Sequence, residues 1–343
     1  MRLLTRRDFL KLGGLAVLGT TAGAPTLIQN KPDPASQEQS ARKLSRQAHG
    51  GDPMPGTLGE VNHEKNGFNP TETLTNFDYG KTSVLSNGQV LREYEIVAFN
   101  KNIEIIPGME FAAWTYNGRI PGPTLRATEG DRIRIKFTNG SNHPHTMHFH
   151  GFHPAEMDGV PPDGLVQPGG TFLYDFNASP FGLHLYHCHA FPLARHIAKG
   201  LYGAFIVDPK GGRPPVDREM IMVMSGFDVD FDNENDFYAV NAIPFHYQNN
   251  PIQIKVGETV RVYLVNILEF DLINSFHLHA NFFQYYPTGT SLTPAEFTDT
   301  IMQAQGQRGI LEFAYQSPGM YMFHAHVSEF TELGWMGVFE VSP

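Results

Sequence analysis

The chain has 343 residues, of which 41% are apolar and only 17% charged, with 34 Gly and 25 Pro. That length exceeds one ordinary domain and suits two of roughly 150 residues each, built of short strands joined by many turns. The net charge of −10 argues against nucleic acid or an anionic membrane surface as partner, and weakly favours a cationic or basic one.

In chain order, Thr5-Arg6-Arg7-Asp8-Phe9-Leu10-Lys11 has the form of a twin-arginine export motif. The apolar run Leu12 to Leu18 and the small residues Ala22-Gly23-Ala24 follow it in signal order. The run is too short to span a bilayer. Residues 1–24 are therefore expected to be an export signal, sending the protein to the periplasm or beyond. Export in the folded state suits a cofactor loaded beforehand. Residues 25–84, rich in Pro, Gly, Asn, Ser and charge, are expected to form a linker and an irregular arm. From Arg92 onward short alternating segments such as Asp131-Arg132-Ile133-Arg134-Ile135-Lys136-Phe137 predict half-buried strands, and no long stretch has a helical period.

The chain then repeats itself. Glu129-Gly130-Asp131-Arg132-Ile133 answers Val256-Gly257-Glu258-Thr259-Val260. Phe181-Gly182-Leu183-His184-Leu185-Tyr186-His187-Cys188-His189 answers Pro318-Gly319-Met320-Tyr321-Met322-Phe323-His324-Ala325-His326. Gly203-Ala204-Phe205-Ile206-Val207 answers Gly337-Val338-Phe339-Glu340-Val341. Two copies of one β-sandwich, over residues 85–210 and 211–343, make an all-β protein.

Cys188 is the single cysteine, so it is a buried hydrophobe, a nucleophile or a metal ligand rather than half of an intrachain disulfide. His-x-His occurs at 143/145, 148/150, 187/189, 277/279 and 324/326, where random placement of 16 histidines would give roughly one such pair. On a strand, residues i and i+2 share a face, so each pair can serve one metal or two adjacent metals. Four pairs occupy matching places in the two repeats: His148/His150 with His277/His279, and His187/His189 with His324/His326. Three metals need eight imidazoles if two take three each and one takes two. The first repeat also carries His145, Cys188 and His196, the two-His, one-Cys set of a blue copper site. Leu201 stands where the weak axial Met would be, which should raise the potential. In the second repeat Asn274, Ala325, Phe330 and Trp335 stand at the corresponding places. His49, His63, His143, His153, His184 and His246 fall outside this frame and are read as ordinary, His143 being the nearest to it.

His145-Thr146-Met147-His148-Phe149-His150, His187-Cys188-His189, His277-Leu278-His279 and His324-Ala325-His326 together resemble the multicopper oxidases, in the two-domain form with a blue site in domain 1 only. The resemblance spans about residues 85 to 343 and implies two consecutive cupredoxin-like Greek-key β-sandwiches. It further implies a type-1 copper on His145, Cys188 and His196, a type-2 copper on His148 and His277, and a type-3 pair on His150, His187, His189, His279, His324 and His326. That makes four coppers per chain. The implied reaction is one-electron oxidation of a donor coupled to four-electron reduction of dioxygen to water. The donor stays open among phenols, metal ions and a small redox protein. Asp158, in Met157-Asp158-Gly159, is a catalytic candidate for relaying protons, or simply a turn residue before Gly159. Domain 1 is also similar to that of copper nitrite reductases, which carry Asp where His148 stands and lack the His after the Cys. A cupredoxin-type electron carrier would need only the blue site. Two-domain relatives pair domain 1 of one chain with domain 2 of the next, so the resemblance implies a homotrimer with intersubunit clusters.

Overall fold

A computed structural model describes residues 59–343. The expected export signal (1–24) and residues 25–58 of the arm lie outside the described residues.

The first sandwich uses β1 (Phe77–Asp78), β2 (Lys81–Val84), β3 (Val90–Ile106), β4 (Met109–Tyr116), β5 (Thr124–Thr128), β6 (Arg132–Asn139), β7 (His148–Phe149), β8 (Thr171–Asn177), β9 (Gly182–His187) and β10 (Tyr202–Asp208). One sheet runs β1-β5-β10-β9-β7 and the other β2-β3-β6-β8, with β4 paired to β3. The second sandwich uses β11 (Arg218–Phe227), β12 (Phe237–Val240), β13 (Ile252–Lys255), β14 (Val260–Asn266), β15 (Ile273–Leu278), β16 (Phe283–Pro287), β17 (Glu296–Thr298), β18 (Thr300–Ala304), β19 (Arg308–Phe313), β20 (Gly319–His324) and β21 (Met336–Ser342). Its sheets run β12-β11-β14-β19-β16-β17 and β13-β21-β20-β15-β18. The repeat extends to topology: β3 lies parallel to β6, and β11 parallel to β14, at matching places in the two domains. Both domains are cupredoxin-like β-sandwiches.

Strands buried on both faces read as continuous apolar runs. In β10, Phe205 and Val207 enter the core of domain 1, while Ala204 and Ile206 enter a separate apolar layer. In β11, Met220, Met222 and Met224 enter the core of domain 2, while Ile221 and Val223 enter that same layer. It also takes Leu183 and Leu185 from β9 and Tyr263 and Val265 from β14. The domains are thus fused by a third apolar core, in which each buried Ile, Leu or Val contributes roughly 1.5–3 kcal/mol. A polar clamp borders it: Arg126 of domain 1 bonds Glu219 Oε2 (2.7 Å) and Asp208 Oδ2 (2.7 Å), and Arg261 reaches Glu219 Oε1 at 3.0 Å.

The arm departs from expectation. Its described part, residues 59–84, holds the helices His63–Asn66 and Pro70–Thr73 as well as β1 and β2. The cause is local capping: the Asn62 side chain accepts the Lys65 N–H (2.9 Å), Asn69 accepts the Thr71 N–H (2.9 Å), and Pro70 fits the first helical turn. The arm then straps both domains. Tyr247 donates to the Pro70 carbonyl (2.7 Å), Leu74 joins the core of domain 2, and β1 pairs parallel with β5 of domain 1.

Candidate metal centres

Strand parity sorts the donors. Along β9 and the two residues after it, Tyr186 and Cys188 face the core of domain 1, with His187 and His189 on the opposite face. The short helix Leu193–Ala198 then brings His196 back over the sulfur. Cys188 Sγ lies 3.1 Å from His196 Nδ1 and 3.9 Å from His145 Nδ1, and the two Nδ1 atoms are 3.1 Å apart. All three residues are buried. Burial, with repulsion from His196, pushes His145 down to about 3, and burial pushes His196 down to about 4. Both rings are therefore neutral, the form that binds metal. Burial pushes the Cys188 thiol up, while the Thr146 N–H, 3.3 Å from Sγ, favours the thiolate. Leu201 is wholly buried in the same core cluster as Cys188.

On the opposite face of the sheet four imidazoles gather. His148 on β7 is the register partner of His187 on β9. The Nε2 atoms of His150 and His187 are 3.3 Å apart, and the His148 ring centroid is 5.1–5.2 Å from those of His150, His187 and His189. Two of the back-side nitrogens have contacts of their own. His187 Nδ1 meets the Cys188 carbonyl (3.0 Å), and His148 Nδ1 meets the Asp158 carbonyl (2.8 Å) and carboxylate (3.0 Å). Burial lowers His150 to about 3 and His187 to about 4.

Asp158 reaches His148 because the next residue is glycine. Gly159 has φ +67, and a Cβ there would lie 2.0 Å from the Met147 carbonyl oxygen. Asp158 thus orients a candidate ligand from behind rather than facing the imidazole cluster directly.

Domain 2 repeats the arrangement. His277 on β15 is the register partner of His324 on β20, and His279 Nε2 lies 2.9 Å from His324 Nε2. His324 Nδ1 meets the Ala325 carbonyl at 2.5 Å, as His187 meets that of Cys188. His277 Nδ1 meets the Asp299 carbonyl (3.1 Å) and Thr300 Oγ1 (2.8 Å), the counterpart of Asp158 on His148. The His326 ring centroid is 5.2 Å from that of His277. The places that match the Cys188 donor set are also visible in domain 2. Trp335 N–H donates to the Phe330 carbonyl and Ala325 N–H to the Trp335 carbonyl, just as Leu201 N–H donates to His196 and Cys188 N–H to Leu201. Phe330, Trp335, Asn274 and Ala325, all buried, fill the volume where the other domain keeps its donors.

Among the described residues, each His-containing group that could hold a metal draws its atoms from one domain: His145, Cys188 and His196; His148, His150 and His187; His277, His279 and His324. Sequence reasoning missed Thr146, Asp299, Thr300 and Trp114, whose ring lies edge-on or tilted beside those of His145 (5.2 Å) and His196 (4.7 Å). Thr146 sits inside the His145–His150 motif, whereas Asp299, Thr300 and Trp114 carry no motif signal and only the fold brings them to the donors. It also missed Arg308 of domain 2, whose Nη1 lies 3.5 Å from His150 Nδ1.

Multicopper oxidase family models match residues 98–212 and 214–343. The chain belongs to the multicopper oxidase family. A solved crystal structure of a multicopper oxidase is 60% identical, with a TM-score of 0.81 over 82% of this chain and 100% of that one. The blue copper oxidase of Nitrosomonas europaea is 28% identical, with a TM-score of 0.67 over 73% of this chain and 86% of that one. The copper-containing nitrite reductase of Neisseria meningitidis serogroup A / serotype 4A is 32% identical over 246 residues, 66% of this chain and 63% of the relative's own length. No helix among the described residues of this multicopper oxidase is long and apolar enough to cross a membrane.

Proposed function

We propose that this multicopper oxidase oxidises a donor one electron at a time beside Cys188 and reduces dioxygen to water among its eight paired histidines. The donor set fits copper: a buried cysteine with two neutral imidazoles suits a type-1 ion, and imidazole-only groups suit type-2 and type-3 ions. Bound copper, four ions per chain, would supply the redox chemistry: one-electron oxidation of a donor at one place and four-electron reduction of dioxygen at another. The protein's part is positional. His145, Cys188 and His196 would hold the type-1 ion. His148 and His277 would hold type 2; His150, His187, His189, His279, His324 and His326 would hold the type-3 pair. The backbone around Cys188 joins the donor side to His187 and His189 directly. The Asp158 carboxylate, 38% exposed and 3.0 Å from His148 Nδ1, has one edge toward solvent and is the candidate to pass protons inward. Four donors each lose one electron, and one dioxygen with four protons becomes two waters.

One observation carries the assembly. Domain 2 meets its own domain 1 through the β11–β14 sheet, whereas His277 and His324 lie on the other sheet, beyond the core of domain 2. Two packed sheets stand about 10 Å apart, so the halves of one chain face different ways. Around His277 the outer face shows Leu272 at 90%, Met302 at 65% and Met320 at 60% exposure, the kind of apolar surface a second chain covers. A head-to-tail contact must close into a ring, and a homotrimer closes it. Residues 1–24 support export by the twin-arginine route to the periplasm or outside the cell.

Nitrite reduction is the second reading, favoured by the Neisseria relative. His148 and His189, both within their clusters, favour the oxidase. Oxygen uptake with phenols, Fe(II), Mn(II), Cu(I) and a reduced redox protein, with nitrite as competing acceptor, tests the choice. Dioxygen is the expected acceptor; faster turnover of nitrite would overturn the reading.

A further inference from the structure

A recess of about 230 Å³ opens beside the Cys188 site, lined by Trp114, His143, Ala113, Lys101, Arg195 and Lys199 among others. Its lining includes no aspartate or glutamate, although the chain carries a net charge of −10. Trp114 forms the wall toward the donors, its ring 4.7 Å from that of His196 and 5.2 Å from that of His145.

The three cations of this recess are not neutralised. Lys199 is only 6% exposed, and its Nζ lies among aromatic faces: 4.0 Å from the Phe231 centroid, 5.5 Å from Trp114 and 5.6 Å from Phe111. Such faces attract an ammonium but leave its charge in place. Asp228 is the nearby acid, and its carboxylate is taken up by the backbone N–H groups of Asp232 and Asn233. Lys101 bonds two backbone carbonyls, of Asn66 and Gly118. Arg195 is exposed and lies over Phe231, with its guanidinium carbon 6.0 Å from the centroid. Among the described residues none of the three forms an ion pair. Burying a charge without an anion is unfavourable, so a site kept this way favours an anion that arrives from outside.

We propose that this recess binds a single-ring aromatic anion, and that a phenol bearing a carboxylate is the class of donor this enzyme oxidises. The proposal rests on the oxidase reading for the word donor, and on the recess alone for the anion. Its volume suits one substituted ring. Trp114 offers an apolar face to that ring, and Lys199 and Arg195 offer charge to its acid group. The same charges disfavour Cu(I), Fe(II) and Mn(II) in this recess.

Calorimetric titration of benzoate, benzyl alcohol and benzylamine into the copper-loaded protein tests the anion site without turnover. Benzoate should bind at one site per chain, at least tenfold more tightly than the alcohol, with the amine weakest. Lys199→Met and Arg195→Gln should each weaken benzoate at least tenfold. Arg195→Gln, at an exposed position, keeps the test open if Lys199→Met fails to fold, and an unchanged visible spectrum certifies the fold. Equal binding of benzoate and the alcohol, no benzoate binding, or variants that bind benzoate like the parent would each overturn the anion site. Oxygen uptake with 4-hydroxy-3,5-dimethoxybenzoate and with uncharged 2,6-dimethoxyphenol separates the two readings. A lower KM for the benzoate is expected, and a lower KM for the uncharged phenol overturns the donor class. Benzoate binding without oxygen uptake from any donor overturns the oxidase reading and leaves the anion site standing.

Discussion

Cys188 Sγ lies 3.1 Å from His196 Nδ1, and the helix Leu193–Ala198 folds the chain back over itself to bring them together. His145 completes the set from another segment. If this is the type-1 site, the oxidised protein is intensely blue through thiolate-to-copper charge transfer. Cys188→Ser should abolish the colour and lower copper from about four to about three per chain. Visible absorption and metal analysis check both; a variant that stays blue contradicts the assignment.

Asp158 acts on His148 from behind. Partners of this kind typically change metal affinity 10–100-fold when removed. Asp158→Ala should therefore weaken type-2 copper by about that factor, read by copper retention against a chelator, and should also slow oxygen uptake. Gly159→Ala should do the same by a different route, since the new Cβ would run into the Met147 carbonyl and push the loop off His148.

Much of this site is legible in the residue pattern because metal ligation and strand parity share a period of two. His187-Cys188-His189 announces two faces of one strand, and the two faces hold two different donor sets. The vanished site of domain 2 is legible for the same reason, through Ala325 and Asn274 in register. The arm was harder. Asn69-Pro70 is a helix-start signal, but it sits in a stretch whose composition reads as linker, and contacts far along the chain, among them Tyr247, Ile221, His246 and Arg119, hold it in place. Trp114 and Arg308 lie on strands far in sequence from every ligand, so nothing local marks them.

The clamp between domains predicts a pH effect. Burial alone would raise the Glu219 carboxyl, but hydrogen bonds from Arg126, Tyr263 and Arg261 hold it down at about 2. A folded value below the unfolded one means stabilisation that is complete above about pH 4.5 and lost as pH falls toward 2, on the order of 3 kcal/mol. Glu219→Gln should be less stable than the parent at pH 7 because Arg126 and Arg261 each lose one of two carboxylate partners. The gap should narrow as pH falls through that window, measured by denaturant midpoints. A gap independent of pH would contradict this account of the clamp.

Intersubunit clusters predict complementation. A protein altered at His148 and one altered at His277 should each be inactive, and their co-assembled mixture should recover part of the oxygen uptake because some interfaces join two intact halves. Light scattering should give the mass of a trimer. A fully active monomer contradicts the shared cluster.

The most direct test of the four-copper oxidase is copper per chain, measured on the blue protein together with the ratio of donor electrons to dioxygen consumed. About four coppers per chain are expected, one sulfur-bound and three on the histidines of the two half-sites, with four electrons taken per dioxygen. Two coppers per chain with nitrite as the preferred acceptor, or one copper with no oxygen uptake, would contradict it.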